Sequence, residues 1–358
     1  MDAVMTAAVL TRFGGPDVLQ VLAVPVPSPG DGEVLVRVSA AAVNNTDIWT
    51  REGAYGLPGQ PDALAGWRGK IEFPRIQGGD IAGSIASVGG GVDPAMIGCR
   101  VLVDPALYDG ADPDANPVGL LGSEADGGFA QYVVTSVDRV HDMTTSPLSD
   151  EELACLPVSY GTAMGMLERA AVQAGETTLV TGASGGVGLA LVQLARARGA
   201  RVIALTSASK QDLVREAGAA AVVPRDTTDL ATALAQAAPD GLDVVADVVG
   251  GQVLETTLPA VRDGGRWVIA GALAGAVITL DLRRLYLHNL NLIGSSMHTP
   301  AHFTRLAAEA LAGTIRPRVA ARYSLTDIHA AQRDFLRRAH VGKIVLIPPG
   351  HSAGSRHR

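Results

Sequence analysis

TLVTGASGGVGLALVQLARARG, residues 178–199, reads as a strand, a turn and a helix in succession. Residues 178–181 are β-branched or apolar and fit a short strand. Residues 182–188 are glycine-rich. From Val187 the apolar positions Leu191, Val192 and Leu194 follow helical spacing until Gly199 stops the helix. RVIAL at 201–205 supplies a second buried strand, so the whole is one βαβ unit. Such a turn is rich in glycine because the backbone bends tightly and comes close to a pyrophosphate. The helix N-terminus then presents free N–H groups and partial positive charge to the anion. Ala183, Gly185 and Gly188 fit the variant A-x-G-x-x-G. A glycine triplet occurs in many tight turns, but the flanking strand and helix make this one a dinucleotide signal. Ala183, Ser184, Gly185, Gly186 and Val187 are the expected contacts.

The rest of the composition narrows the class. A chain of 358 residues, 47% hydrophobic and 18% charged, has room for two domains and a large core. Its net charge of −7, with no basic run, argues against nucleic acid as a partner. The two cysteines, Cys99 and Cys155, exclude a disulfide framework and a four-cysteine zinc lobe. No signal-peptide pattern and no apolar stretch of spanning length is present, so no membrane partner is expected and the expected location is cytoplasmic. The tail after Ile347 is small and polar and is expected to fray.

Before the βαβ unit the texture is that of short strands with Gly and Pro turns: 6–10, 18–22, 33–42, 82–88, 100–103 and 127–134. This predicts a mostly antiparallel, barrel-like domain over residues 1–150. Two irregular segments interrupt it, 54–73 and 104–126. The first carries Tyr55 and Trp67 among glycines and prolines and is expected to line a site. From Ser149, strand–helix alternation begins, with helices at 150–153, 162–171, 210–217 and 229–237. Strands of nearly uniform apolar character at 221–223, 244–248, 267–270 and 290–293 imply a parallel sheet covered on both faces. Helices near 302–311 and 328–339 lead to a closing strand, 343–347, expected to return to the first domain.

With these residues in place, the chain from about Thr6 to Ile347 resembles the medium-chain dehydrogenase/reductase superfamily, in its zinc-independent, quinone oxidoreductase-like branch. The stretches that carry the resemblance are AAVNNTDIWTREG, IQGGDIAGSIASVGGGV, GGFAQYV, the βαβ unit and GKIVLIP. The implied fold is α/β: a GroES-like β-barrel domain (1–150 and 299–358) and a Rossmann doubly wound parallel sheet (151–298), with the active site in the cleft between. In zinc-dependent relatives a Cys, a His and a second Cys hold a catalytic metal. The first position matches Asn44 here, the His matches Gly79, and the third falls near Ala154 or Cys155. A catalytic zinc takes three protein ligands, so no metal is expected. Thr46 occupies the place of the proton-relay hydroxyl, and Asn44, Thr46 and Tyr55 are the candidate groups facing a substrate. Asp47 and Arg51, four apart on a helix, suit a structural pair.

For the cofactor, 206–210 read TSASK, without the acidic residue that binds the ribose of NAD and repels a 2′-phosphate. Ser207 and Lys210 favour NADPH, and the resemblance adds Arg338 near the phosphate. It also places Thr162, Val248 and the backbone of Gly271, Ala272 and Leu273 against the nicotinamide half, and pairs 290–293 with its copy in a homodimer. Hydride transfer to a small-molecule quinone, enone or other conjugated carbonyl is the implied reaction. An enoyl-thioester or pathway-specific reductase, and a non-catalytic NADPH-binding protein, are the alternatives.

Overall fold

A computed structural model describes residues 4–350, so the tail from position 351 lies outside the described residues. In the first part, the strand Glu33–Ala42 is the hub. It pairs antiparallel with Asp80–Val88 and with Tyr132–Ser136, and Asp80–Val88 continues to Arg100–Val103 and Val140–Asp142. Its alternating half, Glu33 to Val38, puts Val34, Val36 and Val38 into a core with Ile81, Ile85 and Phe129. Its small-residue half, Ala40 to Ala42, lets other elements come close. Val4–Leu10, Leu19–Pro25 and Arg75–Ile76 form a separate three-stranded sheet.

The second sheet has six parallel strands. Thr177–Val180, Arg201–Thr206, Ala221–Pro224, Leu242–Asp247, Val261–Ile269 and Asn291–Gly294 lie in the spatial order third, second, first, fourth, fifth, sixth. That is the doubly wound Rossmann order. Apolar cores flank the sheet on both sides, as its uniformly apolar strands require. The fold class read from the sequence is borne out.

The last strand, Lys343–Ile347, belongs to the sheet of the first part and pairs antiparallel with Glu33–Ala42, Val345 opposite Ala42. It also takes Val319–Ser324 as a parallel neighbour. Three local readings are corrected. The helix expected at 162–171 begins at Pro157, where proline suits the first helical position. The strand expected at 127–134 runs Tyr132–Ser136. The segment 104–126 contains a hairpin, Ala106–Tyr108 with Pro117–Leu120. No described helix is long and apolar enough to cross a membrane.

Candidate active site

The cleft is built where the glycine-rich turn meets the closing strand. Gly185 caps the helix Gly186–Ala197. A Cβ on Gly188 would run into the Gly182 carbonyl, and one on Gly186 would lie 2.7 Å from Ser159 Oγ and 2.8 Å from Lys343 Cδ. Gly188 is thus glycine for helix–strand packing, and Gly186 because the Lys343 stem passes beneath it. Gly342 N donates to Ser184 O at 3.2 Å, which fastens the turn to the closing strand.

Lys343 ends in a buried polar network. Its Nζ is 2.8 Å from Asp80 Oδ2, and it donates to Val43 O at 3.0 Å and to Asn44 Oδ1. Asn44 Nδ2 donates to Asp80 Oδ2 at 2.8 Å and to Ala42 O at 3.2 Å. Asp80 Oδ1 accepts the Val158 N–H at 2.6 Å. Both amide hydrogens of Asn44 are therefore committed to the protein. This corrects its placement among substrate-facing donors: Asn44 positions the network instead.

The helix Asn45–Glu52 starts on that network. Asn44 is its N-cap, and Asp47 Oδ2 accepts the Asn44 N–H at 2.7 Å. The expected Asp47–Arg51 pair does not form. Arg51 is buried and reaches Gln332, Glu52 and the Gly14 carbonyl instead. Burial, with Asp80 nearby, raises the Asp47 carboxyl from 3.8 to about 7, against the opposing pull of its backbone hydrogen bond and of Lys343. The folded state thus holds this proton more tightly than the unfolded chain. Its stabilising contribution is full below about pH 4 and is lost as pH rises through about 7. Asp47→Asn should flatten the Tm profile across that window, which thermal unfolding at a series of pH values measures directly.

Thr46 and Tyr55 do come together: the Tyr55 hydroxyl donates to Thr46 Oγ1 at 2.6 Å. Burial raises the Tyr55 pKa, so it stays protonated. Trp49 packs edge-on against its ring, with centroids 5.4 Å apart.

Across the cleft, Gly79 faces Val158: a Cβ on Gly79 would sit 3.1 Å from Val158 Cγ2. Cys155 is fully buried in the core and bonds the Glu151 carbonyl at 3.1 Å. The facing triplet is Asn44, Gly79 and Val158, an amide, a hydrogen and an alkyl group. Among the described residues no group of three His, Cys, Asp or Glu side chains is placed to hold a metal. Trp67 packs against the cluster of Leu120, Val158 and Met297, which brings the segment 54–73 beside Val158. Trp67→Ala should lower kcat/KM several-fold, with cofactor affinity near wild type; steady-state kinetics beside cofactor titration separate the two.

The cofactor-side residues assemble at the carboxyl ends of the parallel strands, where open α/β sheets bind ligands. Val248 and Gly271 to Leu273 lie on two adjoining turns, joined by Ala274 N to Val249 O at 2.8 Å. Asp247, which sequence reasoning missed, is their pillar. Its Oδ1 accepts from Thr181 Oγ1 at 2.6 Å and from Val249 N at 2.8 Å. Thr162 is buried with Oγ1 3.5 Å from Met297 Sδ. Lys210 donates to the carbonyls of Arg338 at 2.5 Å and His340 at 3.1 Å, while Arg338 Nη2 donates to Asn45 Oδ1 at 3.2 Å. Burial lowers the Lys210 pKa, and the charges of Arg225 and Arg338 add to that. Arg225, directly after the strand Ala221–Pro224, is the second missed residue. Ser207 opens this pocket, its Oγ 3.5 Å from that of Ser209. Three cations with no carboxylate partner among the described residues surround the end of the second strand, a charge imbalance suited to an anion.

Comparison with known proteins agrees with this architecture. A family described as alcohol dehydrogenase GroES-like domain matches residues 30–145, and one described as zinc-binding dehydrogenase matches 186–312. A solved structure from Sinorhizobium meliloti, described as a provisionally assigned alcohol dehydrogenase, is 45% identical, with TM-score 0.93 and 97% of each chain covered. The chain belongs to the medium-chain dehydrogenase/reductase superfamily, in its quinone oxidoreductase-like branch. The quinone oxidoreductase of Sus scrofa is 28% identical over 96% of this chain and 98% of its own. A crotonyl-CoA carboxylase/reductase in complex with NADP is 25% identical, with TM-score 0.82 and coverage of 96% of this chain and 95% of that one. As a medium-chain dehydrogenase/reductase it is an oxidoreductase on a nicotinamide-dependent fold.

Proposed function

We propose that this oxidoreductase uses NADPH to reduce a quinone, enone or related conjugated carbonyl without a bound metal. One observation carries the reading: the first two positions that the resemblance gives to zinc ligands are Asn44 and Gly79 here, Val158 stands beside Gly79, and Asn44 is locked by Asp80 and Lys343. That set offers no thiolate or imidazole to a metal. A simple ketone then lacks a Lewis acid for its developing alkoxide, whereas a conjugated acceptor delocalises the charge itself.

When bound, the cofactor would supply hydride chemistry. The turn at Ala183–Val187 and the cations Lys210, Arg225 and Arg338 would hold its phosphates. Val248, Thr162 and the turn at Gly271–Leu273 would orient its nicotinamide half. Trp67, Val158 and Leu120 give an apolar wall that excludes water from the acceptor. The Tyr55–Thr46 hydroxyl pair holds the proton that the reduced acceptor takes up. An enoyl thioester is the second reading, favoured by the likeness to the crotonyl-CoA enzyme. Following NADPH absorbance with naphthoquinone and with cyclohexanone tests the proposal. Turnover of the quinone and not of the ketone supports it; efficient turnover of the ketone alone defeats it.

The assembly we propose is a homodimer. Asn291–Gly294 is an edge strand, paired on one side only. Beside it in the chain, Val277 is 94% exposed and Leu282, Tyr286 and Leu287 about two-thirds exposed. An unpaired edge with adjoining apolar side chains is relieved by pairing with its own copy. Light scattering in the micromolar range should give twice the chain mass.

A further inference from the structure

Residues 295–299 form a strap between the strand Asn291–Gly294 and the helix Pro300–Ala312. It lies directly on the helix Pro157–Arg169, and two glycines about one turn apart make the room. A Cβ on Gly161 would run into the His298 ring, and one on Gly165 into the Met297 carbonyl. Arg169 holds the near end, donating to Ser295 Oγ at 3.0 Å and to Met297 O at 2.9 Å. His298 holds the far end. Its ring is fully buried, with Nε2 2.8 Å from Asp104 Oδ1. Its Nδ1 has no hydrogen-bond partner, so Asp104 is the one polar anchor of that ring. Asp104 is itself buried and braced by the Ala106 N–H at 3.0 Å and the Tyr108 hydroxyl at 2.6 Å.

Between the two anchors, Met297 has φ +50°, in the left-handed region. A non-glycine residue stays there when its surroundings over-determine it, and such positions cluster at ligand clamps. The conformation turns the Met297 side chain onto Leu120, Val158 and Trp67, with Sδ 3.5 Å from Thr162 Oγ1. Met297 therefore stands where the apolar acceptor wall meets the residue placed against the nicotinamide. An unbranched thioether fits a flat apolar surface and fills the space that a larger acceptor needs.

We propose that Met297 sets the size of acceptor the cleft admits, and that the His298–Asp104 hydrogen bond is the device that positions it. This rests on reading the cleft as the acceptor site. Neither residue delivers a proton to the acceptor; His298 donates its Nε2–H to Asp104 and acts through Met297.

The test compares kcat/KM for naphthoquinone and benzoquinone, which share chemistry and differ in size. Met297→Ala should raise the naphthoquinone-to-benzoquinone ratio about tenfold, the scale of a pocket wall moved by a few carbon atoms. The Kd for NADPH should not change. His298→Phe keeps a ring between Gly161 and Phe303 but has no donor, and should move the ratio the same way by about threefold. Asp104→Asn retains the acceptor oxygen and should leave the ratio at its wild-type value. A Met297→Ala ratio within about twofold of wild type overturns the proposal. A folded His298→Phe protein with lower Tm and an unmoved ratio overturns its positioning half. If His298→Phe does not fold, the Met297→Ala ratio still decides the proposal. Calorimetry of naphthoquinone binding to the NADP⁺-loaded protein separates this inference from the functional reading. Binding without turnover in the wild type defeats that reading, and the Met297→Ala change in Kd then decides this one. No binding overturns both.

Discussion

Lys343→Met should cost the folded protein about 3–5 kcal/mol, the loss expected when one partner of a buried ion pair is removed. Lys343 and Asp80 are both buried and 2.8 Å apart. Methionine approximates the lysine stem beneath Gly186 but leaves the Asp80 carboxylate with only the Asn44 amide and the Val158 N–H. The fall in Tm should be at least about 5 °C for a chain of this size. Adding Asp80→Asn should recover much of the loss, because a neutral amide still accepts from Val158 N and no charge is stranded. Melting curves of the single and double variants form the cycle. A Lys343→Met protein as stable as wild type would refute the account of the network. The same change leaves Asn44 Oδ1 with only the Ser159 hydroxyl at 3.4 Å, so the cleft loses the brace joining Asn44 to the closing strand.

Lys210→Ala and Arg225→Ala should each weaken NADPH binding by about 1.5 kcal/mol, roughly tenfold, the lower end for a charge-assisted phosphate contact because the pocket is open to solvent. NADH affinity should stay nearly constant, since the 2′-hydroxyl has no charge for these groups to meet. Arg225→Ala is the cleaner of the two. Lys210 also bonds the carbonyls of Arg338 and His340, so its loss loosens the end of the helix Ile328–Arg337 as well. Fluorescence titration with both cofactors reads the outcome. Equal affinity of the unmutated protein for NADPH and NADH would sink the reading of the cation trio.

The fold was largely legible because its strongest signal is local. The βαβ unit at 178–205 shows its period, its turn chemistry and its helix stop in 28 consecutive residues. What was missed depends on contacts far apart in the chain. Asn44 looked like a free donor because its partners Asp80 and Lys343 lie 36 and 299 residues away. The approach of Val158 to Gly79 follows from the helix start at Pro157, which the expected helix at 162–171 leaves out. A serine and a glycine make 158–161 look a poor helix start, though the proline at the first helical position is the available signal. Arg225 could have been found as the cation directly after the third parallel strand. Asp247 carried a weaker cue, an acidic residue ending an otherwise apolar strand. The hairpin Ala106–Tyr108 with Pro117–Leu120 was hidden by strands of three and four residues around an aspartate-rich loop. His298 and Asp104, 194 residues apart, had no cue in sequence at all.

The central claim is that hydride goes to a conjugated acceptor because Asn44, Gly79 and Val158 provide no Lewis acid at a carbonyl. Cyclohexenone offers both routes in one molecule, conjugate addition at the far alkene carbon and direct reduction of the carbonyl. The measurement is product analysis by mass spectrometry and NMR after turnover of chelator-treated protein with NADPH deuterated at the transferred position of its nicotinamide. The account predicts cyclohexanone carrying deuterium on the carbon β to the carbonyl. Cyclohexenol carrying deuterium on the carbinol carbon would contradict it.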